Sequence, residues 1–414
     1  MYARFVVAAT IFLIFVGALV TTKGAGLAVP DWPLSFGQLN PKMVGGVFYE
    51  HGHRVVASAV GFLTLVLAFV AHFSWQDRTT CRLSWLALAL VIVQGLLGGL
   101  TVLMRLPRPV SIAHGCTAQI FLCTLVAIVL YTTPAFRRSA VALVGDRASA
   151  LRLSGFLAVA AVMAQLLIAA TMRHMGAGLV IGDFPTSLGR WIPPFDSAEI
   201  AINFTHRVMA IVVLSLLFFF AWRIHREAAH LPRALGWLSK TMIGLVLLQI
   251  VLGAFTVWSA RSLIPTSWHV VNGALVLATT FGCWLWVMRV TGHHCVQAGE
   301  AGSPAQPRPE ATRKDWSELF KVKLVAMSVI TAALSFWAGR GYLDVVGLMQ
   351  VSLGVGLIGA GAGALNELLE IEVDLLMSRT RNRPLPSGRI QPGVAEFWGC
   401  ALSTLGVLFL GLSL

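Results

Sequence analysis

The sequence predicts an all-α integral membrane protein, in which two tandem four-helix bundles point the same way across the membrane and three further helices follow. Of its 414 residues, 57% are hydrophobic and 12% are charged, whereas a soluble chain carries about twice that charged fraction. About 11 apolar runs reach the roughly 18 residues that a membrane helix needs. A third observation is an internal repeat, because the same short motifs recur after about 150 residues.

Eleven predicted transmembrane helices follow from these apolar runs. The first run belongs to the repeat and is too long and too poorly terminated for a cleaved signal peptide, so it is kept as a spanning helix. The predicted spans are 4–22, 54–74, 84–104, 110–131, 151–172, 204–222, 238–258, 268–288, 320–338, 345–365 and 394–412.

The repeat is defined by four landmarks separated by 152 to 155 residues. Gly24-Ala25-Gly26-Leu27 recurs as Gly176-Ala177-Gly178-Leu179, and His53-Arg54 recurs as His206-Arg207. Gln94 and Gly98 recur as Gln249 and Gly253, and His114 recurs as His269. Four domains are predicted: a first four-helix unit at 1–135, a second at 136–290, a Pro/Gly/Ala-rich linker at 291–314, and a separate module at 315–414.

The net charge of +13 indicates membrane topology rather than nucleic-acid binding. Arginine and lysine are concentrated in alternate loops, and the positive-inside rule then places the N-terminus in the cytoplasm. Even-numbered helices therefore start outside. We expect a multi-pass protein of the bacterial inner membrane, in contact with lipid and without a nucleic-acid partner.

Four histidines are the candidate ligands of two haem groups. His53, His114, His206 and His269 are predicted to begin the second, fourth, sixth and eighth helices, which places them at similar depth near the outer end. Ionisable side chains in membrane helices usually face the bundle interior. Two inward histidines in each unit could hold one iron from opposite faces. The alternative is that they only donate hydrogen bonds to carbonyl groups between helices.

The two halves differ three residues before the first histidine, where Glu50 in the first half is replaced by Asn203 in the second. An acid in one pocket and an amide in the other predict that only the first pocket carries out chemistry. The alternative is that Glu50 is an interfacial residue or a helix cap. Arg54 and Arg207 directly follow the histidines and are candidate partners of haem propionates, or alternatively interfacial anchors.

The Gly24–Pro33 loop, the Glu50-His51-Gly52-His53-Arg54 motif and the paired histidines resemble the haem A synthase family over about residues 5–288. This resemblance implies oxidation of the C8 methyl group of haem O to the formyl group of haem A. It implies that His53 and His114 hold the substrate haem with Glu50 nearby, and that His206 and His269 bind haem b. Some family members carry a cysteine pair in the first outer loop, which this chain lacks.

The third module contains an acidic helix face followed by arginines. A spacing of four places the candidate Mg²⁺ ligands on one face of a helix, and such oxygen ligands suit Mg²⁺ shared with substrate phosphates. These ligands are Asn366, Glu370 and Asp374. The arginines that follow supply positive charge for a diphosphate; they are Arg379, Arg381 and Arg383. The alternative is an ordinary basic inner loop.

This stretch resembles the first motif of the UbiA prenyltransferases, and among them protohaem IX farnesyltransferase (haem O synthase). The family often has Asp where this chain has Glu370 and Glu372. The resemblance implies farnesyl diphosphate and Mg²⁺ as ligands. It also implies about nine helices and a second acidic motif, so the three-helix module at 315–414 is expected to be incomplete and inactive alone.

The expected function is that of a haem A synthase fused to part of a haem O synthase, two consecutive steps of haem A biosynthesis. Expected partners are haem O, haem A and an electron donor, with a second copy of the chain or oxidase assembly factors as further candidates. One alternative is a di-haem electron-transfer cytochrome, which has no need for Glu50. Another is a transporter built on a parallel repeat, which needs polar residues near the bilayer midplane.

Overall fold

The computed structural model describes residues 2–74, 77–140, 142–291 and 311–413. Within those ranges the regular secondary structure is helical. The chain forms two compact units, Tyr2–Gly299 and Glu300–Leu414, which are described separately. Most of the predicted linker at 291–314 lies outside the described residues, and the predicted domain boundaries stay predictions.

The first half of the N-terminal unit consists of four long helices and one short turn of helix. The helices are α1 (Tyr2–Thr22), α2 (Gly46–Ser74), α3 (Arg78–Leu103), α4 (Arg108–Thr132) and the short α5 (Pro134–Arg137). Helix α3 begins after Asp77, whose carboxylate accepts hydrogen bonds from the backbone N–H groups of Thr79 and Thr80. This cap satisfies donors that the first turn of a helix leaves free.

The second half repeats the helix order and approximate helix lengths of the first. Its helices are α6 (Gly145–His174), α7 (Ala198–Arg226), α8 (Arg233–Trp258) and α9 (Leu263–Val290). Helix α7 is capped by Ser197, whose hydroxyl oxygen accepts a hydrogen bond from the N–H of Ile200 at 3.2 Å. A 23-residue loop therefore precedes α2 and α7 alike, at 23–45 and 175–197.

Apolar side chains fill the part of each half that follows the histidines along their helices. Val60 and Leu67 of α2 pack with Leu125 and Ile128 of α4 in the first half. The corresponding cluster of the second half includes Leu217 of α7 and Leu277 and Val287 of α9. Burial of these side chains stabilises the unit and leaves the opposite end of each half for polar groups.

The two halves share a packed interface formed by α1, α4, α6 and α9. Leu122 of α4 and Ala274 and Ala278 of α9 are buried there, with Ile11 and Ile14 of α1 against them. Helix α9 is the most deeply buried of the long apolar helices. The repeat therefore forms one body rather than two separate bundles.

The C-terminal unit contains α10 (Arg313–Leu319), α11 (Val322–Arg340), α12 (Val345–Leu369), α13 (Ile371–Leu376) and α14 (Pro392–Ser413). Helices α12 and α14 approach closely through glycines. A Cβ atom at Gly361 would lie 2.7 Å from the carbonyl oxygen of Gly399, closer than real Cβ contacts. Small residues at helix interfaces allow such backbone contact in membrane proteins.

Ten helices in the described part of the chain are long and apolar enough to cross a membrane, and they coincide with the first ten predicted spans. The all-α membrane fold class is thus confirmed. The eleventh predicted span falls on α14, whose apolar stretch at Val394–Val407 is shorter. Several helices begin earlier than predicted, α2 at Gly46 rather than 54, because an apolar run marks only the portion suited to hydrocarbon.

Candidate functional site

Four histidines lie near one end of the N-terminal unit, two in each half. His53 lies on α2, His114 on α4, His206 on α7 and His269 on α9. Each is about two turns inside its helix, whereas the sequence predicted the first residues. The loops 23–45 and 175–197 join helices at this same end, which is called the loop end below.

Within each half the two histidines are neighbours. His53 and His114 are close enough for their charges to interact, and so are His206 and His269. The Nδ1 atom of all four is buried and has no hydrogen-bond partner among the described residues. Buried polar atoms in proteins almost always have a partner. Paired imidazoles with unused nitrogens fit a group absent from the protein chain itself, such as an iron ligated from two sides in a haem.

Glycines on neighbouring helices set the position of three of the four histidine rings. An ideal Cβ on Gly98 would lie 3.3 Å from Cε1 of His114, and one on Gly253 would lie 3.1 Å from Cε1 of His269. A Cβ on Gly17 would likewise lie 3.1 Å from Cε1 of His53. These three rings therefore pack against bare helix backbone, which limits their movement.

Glutamines tie the histidine helices to their neighbours. The side-chain N–H of Gln94 donates to the carbonyl of His114 at 3.0 Å, and that of Gln249 donates to the carbonyl of His269 at 3.0 Å. The Gln165 amide donates in the same way to the His206 carbonyl at 2.9 Å. These bonds explain why Gln94 and Gln249 belong to the repeat.

The first long loop closes a turn around the carboxylate of Asp31. This carboxylate accepts hydrogen bonds from the backbone N–H groups of Phe36 at 2.7 Å and Gly37 at 2.8 Å. The N–H groups of Gly37 and Phe36 hold the pKa of the Asp31 carboxyl below its ordinary value. An anionic acceptor strengthens such bonds.

The second long loop repeats this turn around Asp183. Its carboxylate accepts hydrogen bonds from the N–H groups of Leu188 at 2.7 Å and Gly189 at 2.9 Å. The N–H of Gly189 and the hydroxyl of Thr186 lower the pKa of Asp183 to about 2. The two loops are therefore equivalent in structure as well as in sequence.

Arg54 and Arg207 hold the two loops against the helices. Arg54 donates at 3.2, 2.7 and 2.8 Å to the carbonyl oxygens of Val29, Asp31 and Leu34. Arg207 donates at 2.9, 2.8 and 2.8 Å to those of Ile181, Asp183 and Thr186. The sequence did not reveal these partners, and pairing of the two arginines with haem propionates stays a prediction.

Glu50 is buried at the same place, with 4% of its surface exposed. Its carboxylate accepts a hydrogen bond from the backbone N–H of Val29 at 2.8 Å and forms an ion pair with Arg54 at 2.7 Å. Asn203 takes the equivalent position, donating to the carbonyl of Ala177 at 2.8 Å and accepting from Arg207 at 3.1 Å. Both side chains anchor a loop, and a catalytic role of Glu50 stays a prediction.

A buried contact of His51 in the first half has no equivalent in the second half. Nδ1 of His51 lies 2.8 Å from the hydroxyl oxygen of Ser35, and both side chains are buried. Phe204 stands at the matching position of the second half, so the repeat gives no counterpart of His51. His51 thus adds a further tie between the first loop and α2.

In the C-terminal unit, two of the three predicted Mg²⁺ ligands meet at Arg383. The guanidinium of Arg383 lies 2.8 Å from the carboxylate of Asp374 and 3.4 Å from that of Glu370. Helix α12 ends at Leu369, yet the N–H of Glu370 bonds to the carbonyl of Asn366 at 3.1 Å. The three residues therefore follow one bent helical path.

Three further charged residues near Arg383 differ in exposure. Arg379 and Arg381 are exposed. Glu367 is buried, and its Oε2 has no hydrogen-bond partner among the described residues. The spacing of four that marks Asn366, Glu370 and Asp374 does not include it. No cluster of three His, Cys, Asp or Glu side chains suited to a metal occurs in the described ranges, so the Mg²⁺ site stays a prediction.

Residues 42–281 match the cytochrome oxidase assembly protein family (COX15-CtaA). The chain belongs to this family. It is 30% identical over 281 residues to a haem A synthase of Halalkalibacterium halodurans, covering 65% of this chain and 90% of that protein. A haem A synthase of Shouchella clausii is 29% identical over 67% of this chain and 92% of its own length.

The COX15-CtaA segment is joined to a segment of a second family, since residues 326–414 match the UbiA prenyltransferase family. This part is 39% identical over 105 residues to a protohaem IX farnesyltransferase of Rhizobium johnstonii, covering 25% of this chain and 33% of that protein. The chain spans about a third of the length of such relatives. Both resemblances inferred from the motifs, and their fusion in one chain, are confirmed.

Proposed function

We propose that the N-terminal unit is a haem A synthase, which oxidises the C8 methyl group of haem O to a formyl group. The observation that carries this proposal is the presence of two histidine pairs at the loop end. The Nδ1 atoms of all four histidines are buried and have no hydrogen-bond partner among the described residues. Membership of the COX15-CtaA family and similarity to two haem A synthases support it.

The two histidine pairs take different roles in this proposal. His53 and His114 hold the iron of the substrate haem, and His206 and His269 hold haem b. A bound haem b supplies reversible one-electron transfer between the substrate site and a membrane electron donor. The chain itself orients both groups through rings that pack against glycines, those of His53 and His114 in the first half and that of His269 in the second.

Glu50 is the group that distinguishes the two pockets. Its carboxylate lies one turn before His53 and can accept or release a proton at Oε1 or Oε2, whereas the amide of Asn203 in the second half cannot. Arg54 and the N–H of Val29 orient this carboxylate. We infer that Glu50 moves a proton at the edge of the substrate site.

The test is pigment extraction from membranes of a host that expresses this chain together with an intact haem O synthase. Formation of haem A or its hydroxylated precursor is expected. His206→Ala or His269→Ala should remove the b-type absorbance, and Glu50→Gln should retain haem b while lowering haem A output by about a hundredfold or more. Full output from Glu50→Gln would leave Glu50 as a loop anchor only.

The opposite results identify the alternative. Haem b retained in the wild-type protein with haem O unconverted would favour a di-haem electron-transfer cytochrome, for which the same four histidines suffice. Absence of any bound haem would contradict the assignment of the four histidines. The proposal places the protein in the bacterial inner membrane, with its N-terminus in the cytoplasm.

For the C-terminal unit we propose the diphosphate-binding part of a prenyltransferase of the protohaem IX farnesyltransferase type. Asn366, Glu370 and Asp374 would share Mg²⁺ with farnesyl diphosphate, and the exposed Arg379 and Arg381 would contact its phosphates. The carboxylates of Glu370 and Asp374 are close enough to share one cation, because both reach the guanidinium of Arg383. Titration of the full chain with farnesyl diphosphate should show Mg²⁺-dependent binding that Asp374→Asn weakens.

A further inference from the structure

Two arginines at the loop end of the second half have no equivalent in the first half. Arg173 lies near the end of α6, and Arg261 lies in the turn between α8 and α9. At the repeat offsets of 152 and 155 residues, the first half has Thr21 and Leu106 in their places. Both arginines are half-buried.

The backbone shows that Arg261 and Leu106 occupy equivalent positions. Leu106 has a φ of 60° and Arg261 a φ of 63°. The N–H of Leu106 bonds to the carbonyl of Thr101, and the N–H of Arg261 to that of Thr256. Each side chain also packs beside a matching loop glycine, Leu106 beside Gly26 and Arg261 beside Gly178.

Thr21 and Arg173 are equivalent in the same way. The carbonyl of Thr21 accepts a hydrogen bond from the N–H of Gly24 at 3.3 Å, and that of Arg173 accepts one from the N–H of Gly176 at 3.0 Å. The two halves therefore share a backbone at both positions, and the side chains alone differ.

The second pocket consequently contains concentrated positive charge. Arg173 is close enough to both Arg261 and His269 for their charges to interact. Its hydrogen-bond partner is the neutral hydroxyl of Thr21 at 3.3 Å. In the described part of the chain, no carboxylate lies within ion-pairing distance of either guanidinium. Like charges held together away from bulk water are costly without a counter-ion.

We propose that Arg173 and Arg261 bind the two propionate carboxylates of the haem that His206 and His269 hold. Guanidinium groups suit carboxylates in geometry and charge, and a haem held by His206 and His269 would lie beside Arg173, which is close enough to His269 for their charges to interact. Thr21 and Leu106 offer no such charge in the first pocket. The difference fits a resident haem b in the second pocket and, in the first, a substrate that has to enter and leave.

This inference rests on the proposed function, because it assigns carboxylate ligands to one of the two proposed haems. It also differs from the prediction that Arg54 and Arg207 serve the propionates. Those two arginines occur in both halves and already donate to loop carbonyls, so they cannot by themselves make one pocket retain its haem more firmly than the other.

The experiment measures transfer of haem b from the purified full chain to apomyoglobin. The variants Arg173→Thr and Arg261→Leu introduce the residues that the first half carries at these positions. Each is expected to release haem b about tenfold faster than the wild type, because the loss of one hydrogen bond to a charged group weakens binding by about tenfold or more. The double variant should release it faster still.

Arg105→Leu is the matched control for Arg261→Leu. Arg105 is exposed in the equivalent turn of the first half and has a φ of 56°, so both substitutions place leucine on a left-handed backbone. The control should release haem b at the wild-type rate. Equal acceleration by Arg105→Leu and Arg261→Leu would overturn the inference, because backbone strain would then explain both.

Haem dimethyl ester, in which both propionates are esterified, provides a second and independent measurement. The wild type should bind the ester about a hundredfold more weakly than haem at the second pocket, and the double variant should bind both equally. A double variant that still prefers haem would overturn the inference. A wild type that binds neither compound would instead overturn the proposed function.

A gain-of-function variant covers the case in which the double variant does not fold. Leu106→Arg places a guanidinium group at the first pocket and leaves the contact between Thr21 and Arg173 unchanged. This variant should hold its substrate haem about tenfold or more tightly than the wild type. Unchanged retention would contradict the inference, and a lipid phosphate that competes with haem at the second pocket would reassign the two arginines.

Discussion

Gly253 lets the ring of His269 lie directly against the backbone of α8. A Cβ at this position would lie 3.1 Å from Cε1 of the ring, so the ring has to shift in Gly253→Ala. Overpacking of this kind costs about 1–3 kcal/mol, and ligation of an iron tolerates little displacement. We expect Gly253→Ala to weaken retention of haem b by about tenfold, measured as b-type absorbance per protein after dialysis.

Gly244 offers a control on the same helix, because nothing lies within 4 Å of a Cβ placed there. Gly244→Ala changes helix propensity by as much as Gly253→Ala does, and it should retain haem b as the wild type does. Equal retention in Gly253→Ala and Gly244→Ala would show that the ring has room to move, contrary to the close packing seen here.

The sequence predicted which residues form the site where the repeat marked them, but it did not predict their contact partners in the loops. The four histidines stood out because each has a partner at a constant offset, and the structure places them in pairs. Arg54 and Glu50 were also singled out, yet their partners lie about 20 residues away in an irregular loop. No periodic pattern relates a helix to such a loop, so neither the loop carbonyls nor the contact of His51 with Ser35 could be inferred.

The second loop depends as an element on the charge of Asp183. Because its pKa is lowered to about 2 from an ordinary value of 3.8, the carboxylate stabilises the folded loop at every pH above about 4. That contribution is lost as the pH falls from about 4 through about 2. We expect Asp183→Asn to accelerate hydrogen exchange of the Leu188 and Gly189 amides about tenfold at neutral pH, measured relative to intrinsic exchange rates.

Asp196 is the matched control, as an exposed carboxylate in the same loop. Asp196→Asn should leave exchange of the Leu188 and Gly189 amides unchanged at neutral pH. The wild-type loop should exchange like Asp183→Asn near pH 2, after correction for intrinsic rates. Protection that persists in Asp183→Asn at neutral pH would mean that Arg207 alone holds the loop.

Helices were more predictable as elements than their ends were. Apolar runs located ten membrane-crossing helices correctly, because burial in hydrocarbon requires such runs. They missed the first two turns of α2, where Glu50 and His51 are polar but are paired with loop groups. They also missed the bend at Glu370 between α12 and α13, since the spacing of acidic residues carries no information about a local break in the helix.

At the scale of the whole molecule, duplication provides one backbone with two sets of side chains. Loop turns, arginine anchors and histidine positions are shared, while Glu50 and Asn203 differ, as do Thr21 and Arg173. The shared set gives each half a pair of buried histidines whose Nδ1 atoms have no hydrogen-bond partner among the described residues. The differing set changes the charge and size of side chains on a shared backbone, which is what the proposed exchange of a ligand in one half and its retention in the other require.

The distribution of arginines between its two ends predicts which end of the N-terminal unit faces the cytoplasm. The end opposite the loop end carries the denser arginines, and dense positive charge favours the cytoplasmic side. They are Arg78, Arg82, Arg137, Arg138, Arg147, Arg152, Arg223, Arg226 and Arg233. The loop end, with the four histidines, should therefore face outwards and meet its electron donor in the outer part of the membrane.

Labelling of intact cells with a membrane-impermeant maleimide checks this orientation. Leu39 in the first loop is 85% exposed, so Leu39→Cys should react without permeabilisation. Arg147 is exposed at the opposite end, so Arg147→Cys should react only after the membrane has been permeabilised. The parent chain controls for labelling of its own cysteines. The reverse pattern would place the histidine pairs on the cytoplasmic side, where a haem made in the cytoplasm would reach His53 and His114 without crossing the bilayer.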